Sequence, residues 1–220
     1  MTLRAENPGD AQATRPVLCR SIAPADVAGA RKLMRALEIV VAGTRAGSMY
    51  GAICRDAIRN RGAVVDVAAG GADLCGLVVA MIEWRRYWRR FALRRPLLAA
   101  AMCLRRFRGA CGAGPAAPQV HAPDFAALAP YLSQESPGFR WEDSSPQIAK
   151  VLFVGVLPQY RGQGIAARLY RALFDELRQR EVNCLHCRIA CDNLASVRLH
   201  HRLGWQITLA EHILYATFAL

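Results

Sequence analysis

The sequence predicts an α/β domain interrupted by one basic insertion. Three observations carry this. The chain has 220 residues, 53% hydrophobic and 21% charged, which suits a buried core and argues against global disorder. Apolar strand-like runs alternate with segments of helical spacing before residue 84 and after residue 144. The stretch between them shows neither pattern, and the rest of the chain has the size of a compact α/β domain without it.

Residues 1–16 read as a flexible tail punctuated by Pro8, Gly9 and Pro16, ahead of a domain over 17–220. Val17 to Ile22 suits a short strand. Pro24 opens a helix on which Val27, Ala30, Leu33, Met34 and Leu37 recur at helical spacing. A second helix spans Met49 to Arg59. Ala63–Ala69 and Leu74–Glu83 form a hairpin turned at Gly70-Gly71. The insertion follows, with Pro96, an apolar island at Leu97–Leu104 and a Gly/Ala/Pro-rich loop at Gly109–Pro118. Ile148–Val156 is an apolar strand. Ile165, Leu169, Leu173 and Leu177 then repeat every four residues on an amphipathic helix. Cys184–Cys191 is a strand. Asn193–Leu203 is a short helix closed by Gly204. Two strands, Trp205–Leu209 and His212–Phe218, finish the chain.

Charge and cysteine usage narrow the setting. Lysine plus arginine number 29 against 17 acids, a net charge of +12, and Lys32 and Lys150 are the only lysines. Such a balance favours anionic partners. The eight cysteines sit largely in apolar segments and do not resemble a disulfide framework. With no secretory leader visible in the polar start, the expected setting is reducing and cytoplasmic. Cys184, His186, Cys187 and His200 superficially suggest zinc, but a zinc finger needs its histidines three to five residues apart. His200 and His201 are adjacent, so no metal is expected.

The sharpest local signal is Val154-Gly155-Val156 followed by Leu157 to Gly164 and the helix start at Ile165. A strand ends, a two-glycine loop turns, and a helix begins. Exposed N–H groups and the positive end of the helix dipole make such a place an anion site. Arg161 adds a fixed positive charge. No Walker lysine follows, and no acidic residue stands where a dinucleotide fold would hold a ribose.

Arg161-Gly162-Gln163-Gly164-Ile165-Ala166 resembles the acetyl-CoA loop of the GNAT superfamily of N-acetyltransferases, which reads Gln/Arg-x-x-Gly-x-Gly/Ala. Asn193 to Trp205 is similar to a second segment of that family, Asn-x-x-Ala/Ser-x-x-Leu-Tyr-x-x-x-Gly-Phe. The resemblance implies a GNAT-type mixed, mostly antiparallel sheet flanked by helices. It implies transfer of acetyl from acetyl-CoA to an amine acceptor. Val154, Gly155 and Val156 would bond the pantetheine arm. Arg161, Gly162, Gln163, Gly164, Ile165 and Ala166 would hold the pyrophosphate, and Asn193 would fix the pantetheine end. His200 stands where the family often has a tyrosine that protonates the departing thiolate, so His200 is the candidate catalytic acid. No acid lies on Ile148–Val156, and the flanking Glu83, Glu142, Asp143 and His186 are ordinary groups that could serve as a base only by position. His200 and the missing base leave one rival open, a degenerate domain that binds CoA without catalysis, and the basic charge leaves another, a basic nucleic-acid-binding module.

From Arg85 to Arg108 there are nine arginines and no acid, interleaved with Trp84, Tyr87, Trp88 and Phe91. Three readings stand: peripheral contact with an anionic membrane, contact with RNA, or a solvated basic face whose apolar side lies on the domain.

Overall fold

The computed structural model describes residues 17–37, 40–41, 44–45, 47–59, 62–70, 73–97, 99–100, 125–134, 141, 143–210 and 213–220. The expected tail 1–16, the end of the apolar island with the 109–118 loop, and Glu142 lie outside them. The elements in order are β1 (Leu18–Ser21), α1 (Asp26–Ala36), β2 (Val40–Val41), β3 (Thr44–Arg45), α2 (Gly47–Arg59), β4 (Ala63–Gly70), β5 (Asp73–Ile82), α3 (Trp84–Arg94), α4 (Phe125–Leu128), β6 (Ile148–Val156), α5 (Ile165–Gln179), β7 (Cys184–Ala190), α6 (Leu194–Arg202), β8 (Gln206–Ala210) and β9 (Ile213–Ala219).

Seven strands form one sheet in the order β1-β4-β5-β6-β7-β9-β8. Every neighbouring pair is antiparallel except β6 and β7. Strands this apolar must be covered on both faces, and they are. On one face α5 lays Ile165, Leu169, Tyr170, Leu173, Phe174 and Leu177 against Val78, Ala80, Val151 and Leu185. On the other, α1 and α2 cover Val65, Val67, Leu77 and Val79 with Leu33, Met34 and Ile53. The four residues expected to face inward on α5 do so. Tyr170 and Phe174, one position further round the helix, widen the stripe.

The basic stretch opens with a helix, α3, that ends just ahead of Pro96. Trp84, Tyr87, Trp88 and Phe91 fall on one side of α3; Tyr87 and Phe91 are buried and the two tryptophans pack beside them on the second core. Tyr87 and Phe91 are thereby committed to the protein interior, and the tryptophans are partly buried beside them. The arginines lie outward, Arg86 pairing with Glu83 and Arg94 with Asp56. Residues 84–94 therefore fit the solvated basic face. Among the described residues, no helix is long and apolar enough to cross a membrane.

One buried acid sits between the sheet and α5. Asp66 on β4 is 1% exposed. The Ser21 hydroxyl lies 3.1 Å from its Oδ1 and 2.8 Å from Oε2 of Glu176. One hydroxyl hydrogen serves only one carboxylate at a time. Burial first, and the Glu176 charge next, push the Asp66 carboxyl up to about 7. The folded chain thus holds a proton there that the unfolded chain releases near the ordinary value of 3.8. This contribution to stability is full at low pH and is lost as pH rises from about 4 to about 7. Asp66→Asn should flatten that decline by up to roughly 1.4 kcal/mol per pH unit. Denaturant unfolding of both chains at pH 5, 6 and 7 measures it; parallel stability curves would refute the retained proton.

Candidate functional site

The site grows from the one parallel junction. β6 and β7 pair only at Ile148–Cys184, Ala149–Leu185, Lys150–His186 and Val151–Cys187. Beyond these four pairs β6 continues to Val156 and β7 to Ala190 without meeting. A bulge accompanies the divergence: Val79 faces Phe153 and Ala80 faces Val151, so Leu152 is one residue too many. The bulge turns both Leu152 and Phe153 toward the α1/α2 core and bends the strand. Val154, Gly155 and Val156 therefore lie past the last β6–β7 pair, at the opening. A Cβ at Gly155 would stand 2.3 Å from Cζ of Phe153, so a larger residue there would displace that ring.

The loop after β6 is organised by its own backbone. Pro158–Tyr160 makes a 3-10 turn. Arg161 folds back, its Nε donating to the Val156 carbonyl at 3.2 Å. Gly162 (φ 79°) and Gly164 (φ 70°) take left-handed conformations that favour glycine. No heavy atom stands within 4 Å of where either Cβ would be, so the peptide groups are open to approach. Gly164 caps α5 without any side-chain hydrogen bond, and the first turn keeps unpaired N–H donors at the positive end of the helix.

A cavity of about 450 Å³ lies over this helix start. Val156, Arg161, Gly162, Gly164, Ile165 and Ala166 line one side, Arg171 another, and Ala195, Leu199, Arg202 and Leu203 of the α6 region close it. Three arginines around backbone donors favour a polyanion. Of the sequence-predicted coenzyme residues, Val154, Gly155, Gln163 and Asn193 are not in the cavity lining. Arg171 and Arg202 were missed. Their signal was available: Arg171 is six residues beyond the helix start, and Arg202 lies within the second motif, at the end of α6. Asn193 caps α6, its Oδ1 accepting from the Ser196 N–H at 3.1 Å, which leaves its amide N–H₂ as the donor it could offer a ligand.

His200 is fully buried. Its Nδ1 lies 2.7 Å from the Ser196 carbonyl and so must carry the hydrogen, while Nε2 lies 2.8 Å from the Tyr170 hydroxyl and accepts from it. Trp205 packs against the ring, centroids 4.9 Å apart. Burial lowers its pKa to about 4. At neutral pH the imidazole is uncharged and both nitrogens are engaged inside the core. Protonating a thiolate from here would need a charged imidazole or release of one of these two partners. Two of the suggested bases have charged neighbours. His186 is buried and lowered to about 4 by burial and by the Lys150 charge, and Glu83 is paired with Arg86. Cys187 is packed under α5.

Comparison with known proteins follows this geometry. Residues 130–205 match the model of the Acetyltransferase (GNAT) family. They belong to a GNAT domain. Solved structures of the same fold include the ribosomal-protein-alanine N-acetyltransferase of Brucella melitensis, at 18% identity and TM-score 0.55 over 92% of this chain and 99% of that one. They include yncA of Salmonella typhimurium with its cofactor acetyl-CoA, at 15% identity and TM-score 0.55 over 93% and 94%. They also include Arabidopsis thaliana NAA60 in complex with acetyl-CoA, at 12% identity and TM-score 0.54 over 93% and 99%. At these identities the likeness establishes the GNAT fold. No curated protein matches the chain.

The His200 placement makes its own prediction. His200→Phe should leave the Tyr170 hydroxyl buried without a partner and cost about 1–3 kcal/mol at pH 8. The parent's imidazole must charge on unfolding in acid, so its contribution is full above pH 6.5 and is lost as pH falls toward about 4. Between pH 8 and pH 5 the parent should therefore lose about 2 kcal/mol more than His200→Phe. Thermal or denaturant unfolding at the two pH values reads this difference, and equal losses would show that the ring titrates freely.

Proposed function

We propose that this chain transfers an acetyl group from acetyl-CoA to an amine acceptor. The observation that carries the reading is the strand opening beside a helix start with no side-chain cap, ringed by Arg161, Arg171 and Arg202. The open glycines, the arginines and the cavity suit a pyrophosphate-bearing coenzyme. Val154, Gly155 and Val156 would bond the pantetheine arm along the diverging edge. The N–H groups from Gly162 to Ala166 would meet the pyrophosphate, with Gln163 and Ile165 part of the same turn. Asn193 would donate through its amide nitrogen.

When bound, acetyl-CoA supplies an activated acyl thioester. The chain's own contribution is positioning: it holds the acyl carbonyl against fixed backbone dipoles and admits a neutral amine from the α1/α2 side. His200 serves this by bracing α6 through Tyr170 and Ser196, as a positioning residue. Helix α3, which opens the 84–144 insertion, would contribute to the substrate side.

Gly164→Glu should abolish coenzyme binding, because it forces a carboxylate into a left-handed position beside the anion donors. Calorimetry with coenzyme A should show an affinity loss of at least about tenfold, or about 1.4 kcal/mol. Unchanged affinity would remove the loop from the site.

A further inference from the structure

Strands β6 to β9 contain no aspartate or glutamate; their charged side chains are Lys150 and Arg188, with His186 between them. All three project from the face opposite α5. Lys150 is opposite His186 in the β6–β7 pairing, His186 is opposite Thr217, and Arg188 is opposite Tyr215. Cys187 and Ile189, the neighbours of Arg188, point into the α5 core.

The two cations are held differently. Lys150 is 1% exposed, its Nζ donating to the Trp141 carbonyl and lying 4.4 Å from the Trp84 ring centroid. Arg188 is exposed. It is the first residue past the last β6–β7 pair, at the apex of the opening. Its guanidinium lies 4.4 Å from the Trp141 ring centroid and 5.3 Å from that of Tyr215. Among the described residues no carboxylate forms an ion pair with it. Aromatic contact restrains the guanidinium plane while leaving edge N–H groups free to form a bidentate fork. Asp143, which tempers His186, comes from the loop before β6.

We propose that the acceptor docks on Arg188 through an anionic group, a carboxylate or a phosphate close to its amine; this rests on the acetyl-transfer reading above. The same positive face repels acceptors whose amine is flanked by further cations. It also lowers the pKa of a nearby ammonium, raising the share of neutral nucleophile where the strands offer no carboxylate base. Arg188 is thereby a specificity-determining residue.

The test is calorimetric binding of matched amines to the full chain in the presence of coenzyme A. Alanyl-glutamate amide against alanyl-glutamine amide reads the carboxylate; glucosamine 6-phosphate against glucosamine reads the phosphate. The anionic member of at least one pair should bind at least about tenfold tighter. Arg188→Gln should erase that preference without changing coenzyme A affinity or the unfolding midpoint. Arg188→Lys, which keeps the charge but not the fork, should keep only part of it. Equal binding within both pairs, binding by neither member, or a preference that survives in Arg188→Gln overturns the inference. Intact coenzyme binding with no anion preference defeats this inference alone. A parent chain that binds no coenzyme A defeats the acetyl-transfer reading and this inference with it.

Discussion

The architecture turns on a junction of four residue pairs. Six strand neighbours share the sheet, and only β6 and β7 run in the same direction. A parallel connection needs a long crossover, which here is the Arg161–Ala166 loop followed by α5. The crossover seats the helix start beside the end of β6, where β6 and β7 no longer pair. Had the pairing continued to Val156, the backbone edge would be consumed by the sheet. The opening and the anion-favouring loop are thus two results of one topological choice. The bulge at Leu152 reinforces it by bending β6 where the pairing stops.

Polar groups are distributed to match. On the α5 side, buried polar groups meet protein partners: His200 lies between Tyr170 and Ser196, and the Ser21 hydroxyl lies between Asp66 and Glu176. On the α1/α2 side near the opening, Lys150 is enclosed by indoles while Arg188 reaches solvent. One face uses its polar atoms to hold helices in place, and the other leaves a charged group for a visitor.

Much of this was legible because its signals are local. The apolar run of β6, the four-residue period of α5, the glycine turn before it, the Asn193 cap and Gly204 at φ 85° are each encoded within a few residues. What escaped is non-local or masked. Nothing near His200 announces that Tyr170, thirty residues away, will take its Nε2. The bulge depends on which strand β6 meets. Helix α3 was legible, since Trp84, Tyr87, Trp88 and Phe91 fall at helical spacing, but which surface its aromatic side meets depends on the distant α1 and α2 core. Arg188 looked like one more basic residue until its neighbours Trp141 and Tyr215 were in place.

The burial of Lys150 has a chemical corollary. Thioesters acylate exposed primary amines without any enzyme. Of the two lysines in the chain, one has its ammonium closed off by a carbonyl and two indole rings. The remaining side-chain cations are guanidiniums, which stay protonated and resist acylation. Lys32, on α1 and exposed, is thus the one lysine open to self-modification. A protein so built can carry a strongly basic surface beside a reactive acyl donor and keep its charge.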